Sequence, residues 1–146
     1  MKRVSLLAAV LLVAGSVASL AATPDEIIAT RQANQKRVGE LTTAMKKAVE
    51  GGATASSQVD ASIELSDRAR RLKDYFPVGT ETGGNTKAKA EIWSDRAGFV
   101  KVDAAYVAAF DKLLVLAKAG DTPGFNAQFA DAGGTCGACH RTYRAR

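Results

Sequence analysis

Histidine and cysteine are scarce in this sequence, with one His and two Cys among 146 residues. That scarcity leaves no room for a disulfide framework, and a zinc site would lack a fourth ligand. There is no paired nucleophile and base of the kind hydrolytic or transfer catalysis needs, so no enzyme activity is expected. No segment alternates polar and apolar residues with period two for long enough to make a convincing strand, which argues against a sheet. Basic residues are dispersed among acidic ones, without a clustered patch or interleaved aromatics, so a nucleic-acid partner is not expected. Prolines number three, and Pro24, Pro77 and Pro123 all stand beside turn or start signals.

Long apolar runs are scarce too, and the one that exists is N-terminal. Met1-Lys2-Arg3 supplies a positive start, Val4 to Val13 an apolar middle, and Ser19-Leu20-Ala21 a small-x-small cleavage site. Residues 1–21 are therefore expected to be a secretory signal, and residues 22–146 a single domain exported to the periplasm. The apolar run is about half the ~20 residues a membrane span needs, so no span is expected. Loss of Lys2 and Arg3 takes the formal charge from +5 to +3.

The two cysteines and the histidine fall together as Cys136-Gly137-Ala138-Cys139-His140, close to the C-terminus. C-x-x-C-H is the attachment signature of haem c: two thiols add across the porphyrin vinyls and the adjacent imidazole reaches the iron. One covalent haem is expected, with Cys136 and Cys139 as its anchors. As the only imidazole, His140 is the expected proximal ligand. A Cys136–Cys139 disulfide is the alternative an oxidising compartment raises, but on a regular helix that ring is strained.

The rest of the pattern is helical. Thr23-Pro24-Asp25-Glu26 reads as an N-cap, a first-turn proline and a capping box, opening a helix to about Val49 with Ile27, Ile28, Val38, Leu41, Met45 and Val49 on one stripe. Gly51-Gly52 ends it. A second helix is expected from about Ser56 to the stop at Pro77, carrying Val59, Ile63, Ala69, Leu72 and Tyr75 inward. Residues 77–85, with three glycines, form the one long loop. A third helix is expected over residues 86–119, and a fourth after Gly120-Asp121-Thr122-Pro123. That last helix carries Phe125, Phe129, Ala132, Cys136, Cys139, His140 and Tyr143 at spacings of three and four. The fold expected is all-α, an antiparallel up-down-up-down four-helix bundle.

Arg31 and Gln35 interrupt the first helix's apolar stripe. In an antiparallel bundle the end of helix four lies beside the start of helix one, so residues around 28 to 36 should face the open side of the iron. Met45 is ten residues beyond Gln35, ~15 Å along the axis at the helical rise, and reads as core filler rather than a sixth ligand. Gln35 would hold water or a gas by hydrogen bonding, giving a five-coordinate iron with a partly polar pocket.

The chain resembles the cytochrome c′ family. The resemblance rests on Arg31-Gln32, Phe76-Pro77, Thr86-Lys87-Ala88-Lys89 followed by Ile92-Trp93, and Gly134-Thr135 running through the C-x-x-C-H motif to Tyr143-Arg144. It implies a four-helix bundle, often a homodimer through its first two helices, with covalent haem, histidine on one side and an open or apolar site on the other. By position it implies that Arg31 and Gln32 contact the haem and its propionates, that Thr86 and Lys87 touch its edge, and that Arg144 lies beside His140. Gln35 takes the distal position, where the family usually places an aliphatic or aromatic residue, or Met. Lys87 stands where an acidic residue is often seen. The plainer readings are that Arg31 and Lys87 are solvated charges, that Trp93 is core packing, and that Arg144 complements a helix C-terminus.

Two functions follow. The first is one-electron transfer in the periplasm with a redox partner protein. The second is binding of nitric oxide or carbon monoxide at an open distal site. A thiol oxidoreductase fits less well, because its C-x-x-C usually opens a helix after a strand.

Overall fold

Thr23 closes a capping box: its hydroxyl accepts from the Glu26 amide at 3.3 Å, and its own amide donates to the Glu26 carboxylate at 2.7 Å. With Pro24 in the first turn, this starts α1, Pro24–Glu50, in a computed structural model that describes residues 22–146. The secretory-signal assignment to residues 1–21 lies outside the described residues. A 3-10 turn, Ala55–Gln58, leads into α2, Val59–Arg70. A second 3-10 turn, Leu72–Tyr75, leads to the long loop, followed by α3, Glu91–Ser94, α4, Arg96–Ala119, and α5, Thr122–Tyr143. Gly120 adopts φ 70°, the left-handed C-cap that closes α4 and lets the chain reverse within two residues.

The protein is a four-helix bundle built from α1, α2, α4 and α5. Helix α4 is its spine, packed along α2 on one side and α5 on the other, while α1 packs on α2 and the second 3-10 turn. Leu41, Met45, Leu65, Phe110, Leu113 and Phe125 fill the main core. A smaller cluster of Ile92, Phe99 and Tyr143, with Phe76 and Trp93 against it, closes the end where α5 finishes. Between α1 and α5 there is little close backbone approach, and that seam holds the site.

Two element boundaries differ from the sequence reading. The expected helix over residues 86–119 begins only at Glu91 and breaks at Asp95, whose backbone leaves the helix at φ −113°, ψ 55°. The Asp95 carboxylate recaps the next helix at the Gly98 amide (3.1 Å) and accepts from the Tyr143 hydroxyl (2.9 Å). Residues 86–90 are drawn out of the helix because they pair with the C-terminus, Lys89 N–H to Tyr143 O at 3.0 Å and Ala145 N–H to Lys87 O at 2.8 Å. The second expected helix likewise gives way after Arg70 to the tighter 3-10 turn before Pro77.

Candidate functional site

Cys136, Cys139 and His140 sit in the last two turns of α5, where positions three and four apart share a face. Pairing of residues 87–89 with 143–145 fixes that helix end. Both thiols are free and half-buried. Burial pushes both above the ordinary thiol value, Cys139 to about 11, with Asp103 and Cys136 adding to the effect at Cys139. His140 lies at the mouth, held below its ordinary value by partial burial and then by the positive charge of Arg144, which favours the neutral imidazole that can donate a lone pair.

Two adjoining cavities, about 250 Å³ and about 530 Å³, open along this face. They share Gln35, Leu72, Phe99, Cys139, His140 and Arg144, and so form one cleft between α1, α4 and α5. Arg31, Gln32 and Lys87 border its smaller end, and Cys136, Asp103 and Tyr106 its larger one. The structure therefore gathers around one cleft all the residues assigned to the haem site from the sequence except Thr86, which stands one bond behind it on Arg31. Gln35 is exposed and borders both cavities together with His140.

Arg31 is not a solvated charge. It is 3% exposed, and its donors reach Thr80 Oγ1 (2.9 Å), Thr80 O (2.8 Å) and Thr86 Oγ1 (2.7 Å). Its guanidinium lies over the Phe76 ring, 4.8 Å from the centroid, and burial lowers its pKa from the ordinary value. Arg31, at the smaller end of the cleft, thus clamps the loop over residues 77–86. Gln32 adds a bond to Gly84 O at 2.9 Å. Gly84 itself, at φ 49°, leaves only 2.8 Å between a would-be Cβ and Ile28 Cγ2, which is why the loop can lie so close on α1. Lys87 and Arg144 are exposed at the rim. Trp93 is half-buried against Phe76 and donates to Pro77 O at 3.0 Å, a packing role. Met45 is 1% exposed in the main core and borders neither cavity.

Sequence reasoning missed Asp103. It is 5% exposed, it borders the larger cavity, and its Oδ1 has no hydrogen-bond partner. Its position between Phe99 and Tyr106 on the buried stripe of α4 was the available signal, an acid where the period demands an apolar residue. The donor set fits a c-type haem: two thiols and an imidazole on one helical face, an apolar wall of Leu72, Phe99 and Val102, and a buried polar atom aimed at nothing in the protein.

A family model described as Cytochrome C′ matches residues 26–144. A cytochrome c′ of Rhodopseudomonas palustris is 31% identical over 138 residues, covering 93% of this chain and 92% of its own. Among solved structures, a cytochrome c′ with ligand-controlled dimer dissociation superposes with a TM-score of 0.80 at 27% identity, covering 86% of this chain and 99% of that one. A ferrous cytochrome c prime variant from Alcaligenes xylosoxidans with bound NO gives 0.78 at 31% identity, covering 86% and 98%.

Proposed function

This chain belongs to the cytochrome c′ family and carries one covalently bound haem c, and from that premise we propose a periplasmic one-electron carrier whose iron is held by His140. Cys136 and Cys139 are the thioether anchors. The observation that carries the reading is the cleft itself, which sets Cys139 and His140 across from Gln35, Leu72 and Phe99 and opens to solvent at its rim. Covalent attachment retains the group, the bundle holds it rigidly, and an edge at the rim near Lys87 and Arg144 exchanges single electrons with a partner protein. Arg31 and Gln32 orient the smaller end of the cleft, Lys87 borders the edge with Thr86 behind it on Arg31, and Arg144 stays beside His140. The leader pattern of residues 1–21 supports the periplasm, and no helix among the described residues is long and apolar enough to cross a membrane. The domain is residues 22–146, no catalytic role is assigned to it, and a homodimer through α1 and α2 is part of the same reading.

A second reading, a binder of nitric oxide or carbon monoxide, is favoured by one specific observation. Met45 is locked in the core and Gln35 stands in the cleft instead, so among the described residues no Met or second His borders the cleft with His140. The test is an optical and resonance Raman spectrum of the purified protein, oxidised and reduced, with and without carbon monoxide. High-spin five-coordinate iron that takes up the gas keeps both readings. A low-spin six-coordinate iron leaves electron transfer alone. Gln35→Leu should change the gas off-rate several-fold by removing a distal hydrogen bond, with attachment intact; an unmoved off-rate places Gln35 away from the bound gas.

A further inference from the structure

Asp103 is the one carboxylate that borders the cleft, and it is buried with an oxygen that bonds to nothing. With one buried oxygen unpartnered and no ion pair to the protein among the described residues, the carboxyl's charge responds strongly to any neighbouring charge. We propose that Asp103 is the redox-linked proton site of this protein: its carboxyl takes up one proton from solvent when the haem gains one electron, and releases it on oxidation. The proposal rests on the reading that the haem lodges in this cleft.

The charged groups around it settle the sign. The second 3-10 turn presents Lys73, which favours the anion, and Asp74, which opposes it. On its own helix are Arg96, a second favouring cation, and Tyr106, whose ionisation burial and Asp103 itself suppress. From α1, Lys36 borders the same cavity, and from α5 Cys136, Cys139, His140 and Arg144 do so. Thioether formation removes the two thiols from this set, and iron ligation removes the His140 lone pair, which leaves Asp103 as the carboxylic acid in the cleft, with the ionisation of Tyr106 suppressed. Burial outweighs the two cations and raises its pKa above the ordinary carboxylate range. The oxidised haem core carries one more positive charge than the reduced one. Asp103 is therefore held as the anion beside oxidised haem and binds its proton more tightly once that charge is gone.

The experiment is a spectroelectrochemical titration of the holoprotein between about pH 4 and pH 9, on the wild type, Asp103→Asn and Lys73→Met. The expected wild-type result is a fall of the reduction equilibrium by about tenfold, ~59 mV for a one-electron couple, from the acid limit to the alkaline limit. Asp103→Asn should hold the acid-limit potential across the whole range. Lys73→Met should move the window to higher pH, since the anion loses a favourable cation, and this arm stands even if the Asn variant fails to fold. A wild type with no pH dependence, an Asn variant that keeps the fall, or a window that Lys73→Met leaves in place would each overturn the proposal. A protein purified without covalent haem would instead overturn the reading beneath it, and its absorption spectrum shows that before any titration begins.

Discussion

Arg31 is the one charged side chain that α1 buries, and its forked donors explain why it is there. Thr80 and Thr86 offer it two hydroxyls and a carbonyl within 2.9 Å, and it forms no ion pair with a carboxylate among the described residues. Replacing it with Leu strands three acceptors and frees the 77–86 loop, so Arg31→Leu should destabilise the protein by about 3 kcal/mol in urea unfolding. Arg31→Lys should recover only part, because one ammonium cannot serve the same fork. Equal midpoints for wild type and Arg31→Leu would show that the loop holds itself. The sequence displayed Arg31 and Gln35 alike, as polar breaks in one stripe, and assigned both to the cofactor. The structure sets both at the cleft but gives them different surroundings: Gln35 is exposed in it, while Arg31, buried at its smaller end, spends its donors on a loop 49 residues away. No local spacing reports a partner at that distance. Asp103 was hidden for the same reason, since an acid on an apolar stripe declares itself only once the helix is docked.

Among the elements, α1 and α2 are joined at the surface by one two-armed contact. Glu64 accepts from Arg37 at 2.8 Å on both oxygens and from Arg68 at 2.8 Å, while Arg68 also reaches Asn34 Oδ1 at 3.1 Å. The bond to Arg37 and then that to Arg68 pull the Glu64 carboxyl down to about 2 from its ordinary 4.5. A depressed folded-state value means the contribution is complete above about 4.5 and drains away as pH falls toward 2. The wild type should therefore lose more urea resistance between pH 5 and pH 3 than Glu64→Gln does, though solvent screening keeps the difference small. Parallel losses would mean that the pair adds nothing. Caps and glycines made α1 and α5 readable to within a residue or two. The 86–119 region was misread because Asp95 and residues 86–90 take their partners from the C-terminus, a contact absent from helical periodicity.

At the scale of the whole molecule, the antiparallel order brings the start of α1 beside the end of α5 without pressing them together. Helix α5 leans on α4, and α1 leans on α2, so the bundle is closed on three sides and parted on the fourth by the cleft. Val38, Leu72, Phe99 and Val102 turn apolar surface into that gap. On the proposed function, a covalently held haem would cover these walls and cross-brace α5 to the rest, acting as part of the core as well as the redox group. A Cys136→Ala, Cys139→Ala double variant, which cannot form the thioethers, should keep most of its helical far-ultraviolet signal, because α2 and the Phe110–Leu113–Phe125 core do not border the cleft. It should nevertheless lose on the order of 5 kcal/mol of unfolding free energy, the worth of two or three large side chains left facing a void. Near-ultraviolet dichroism should weaken at the same time, as Phe99, Tyr106 and Tyr143 lose fixed surroundings. Urea midpoints that coincide for the double variant and the holoprotein would show instead that α1 and α5 collapse onto each other unaided, and that the cleft is shaped by the polypeptide and only then filled.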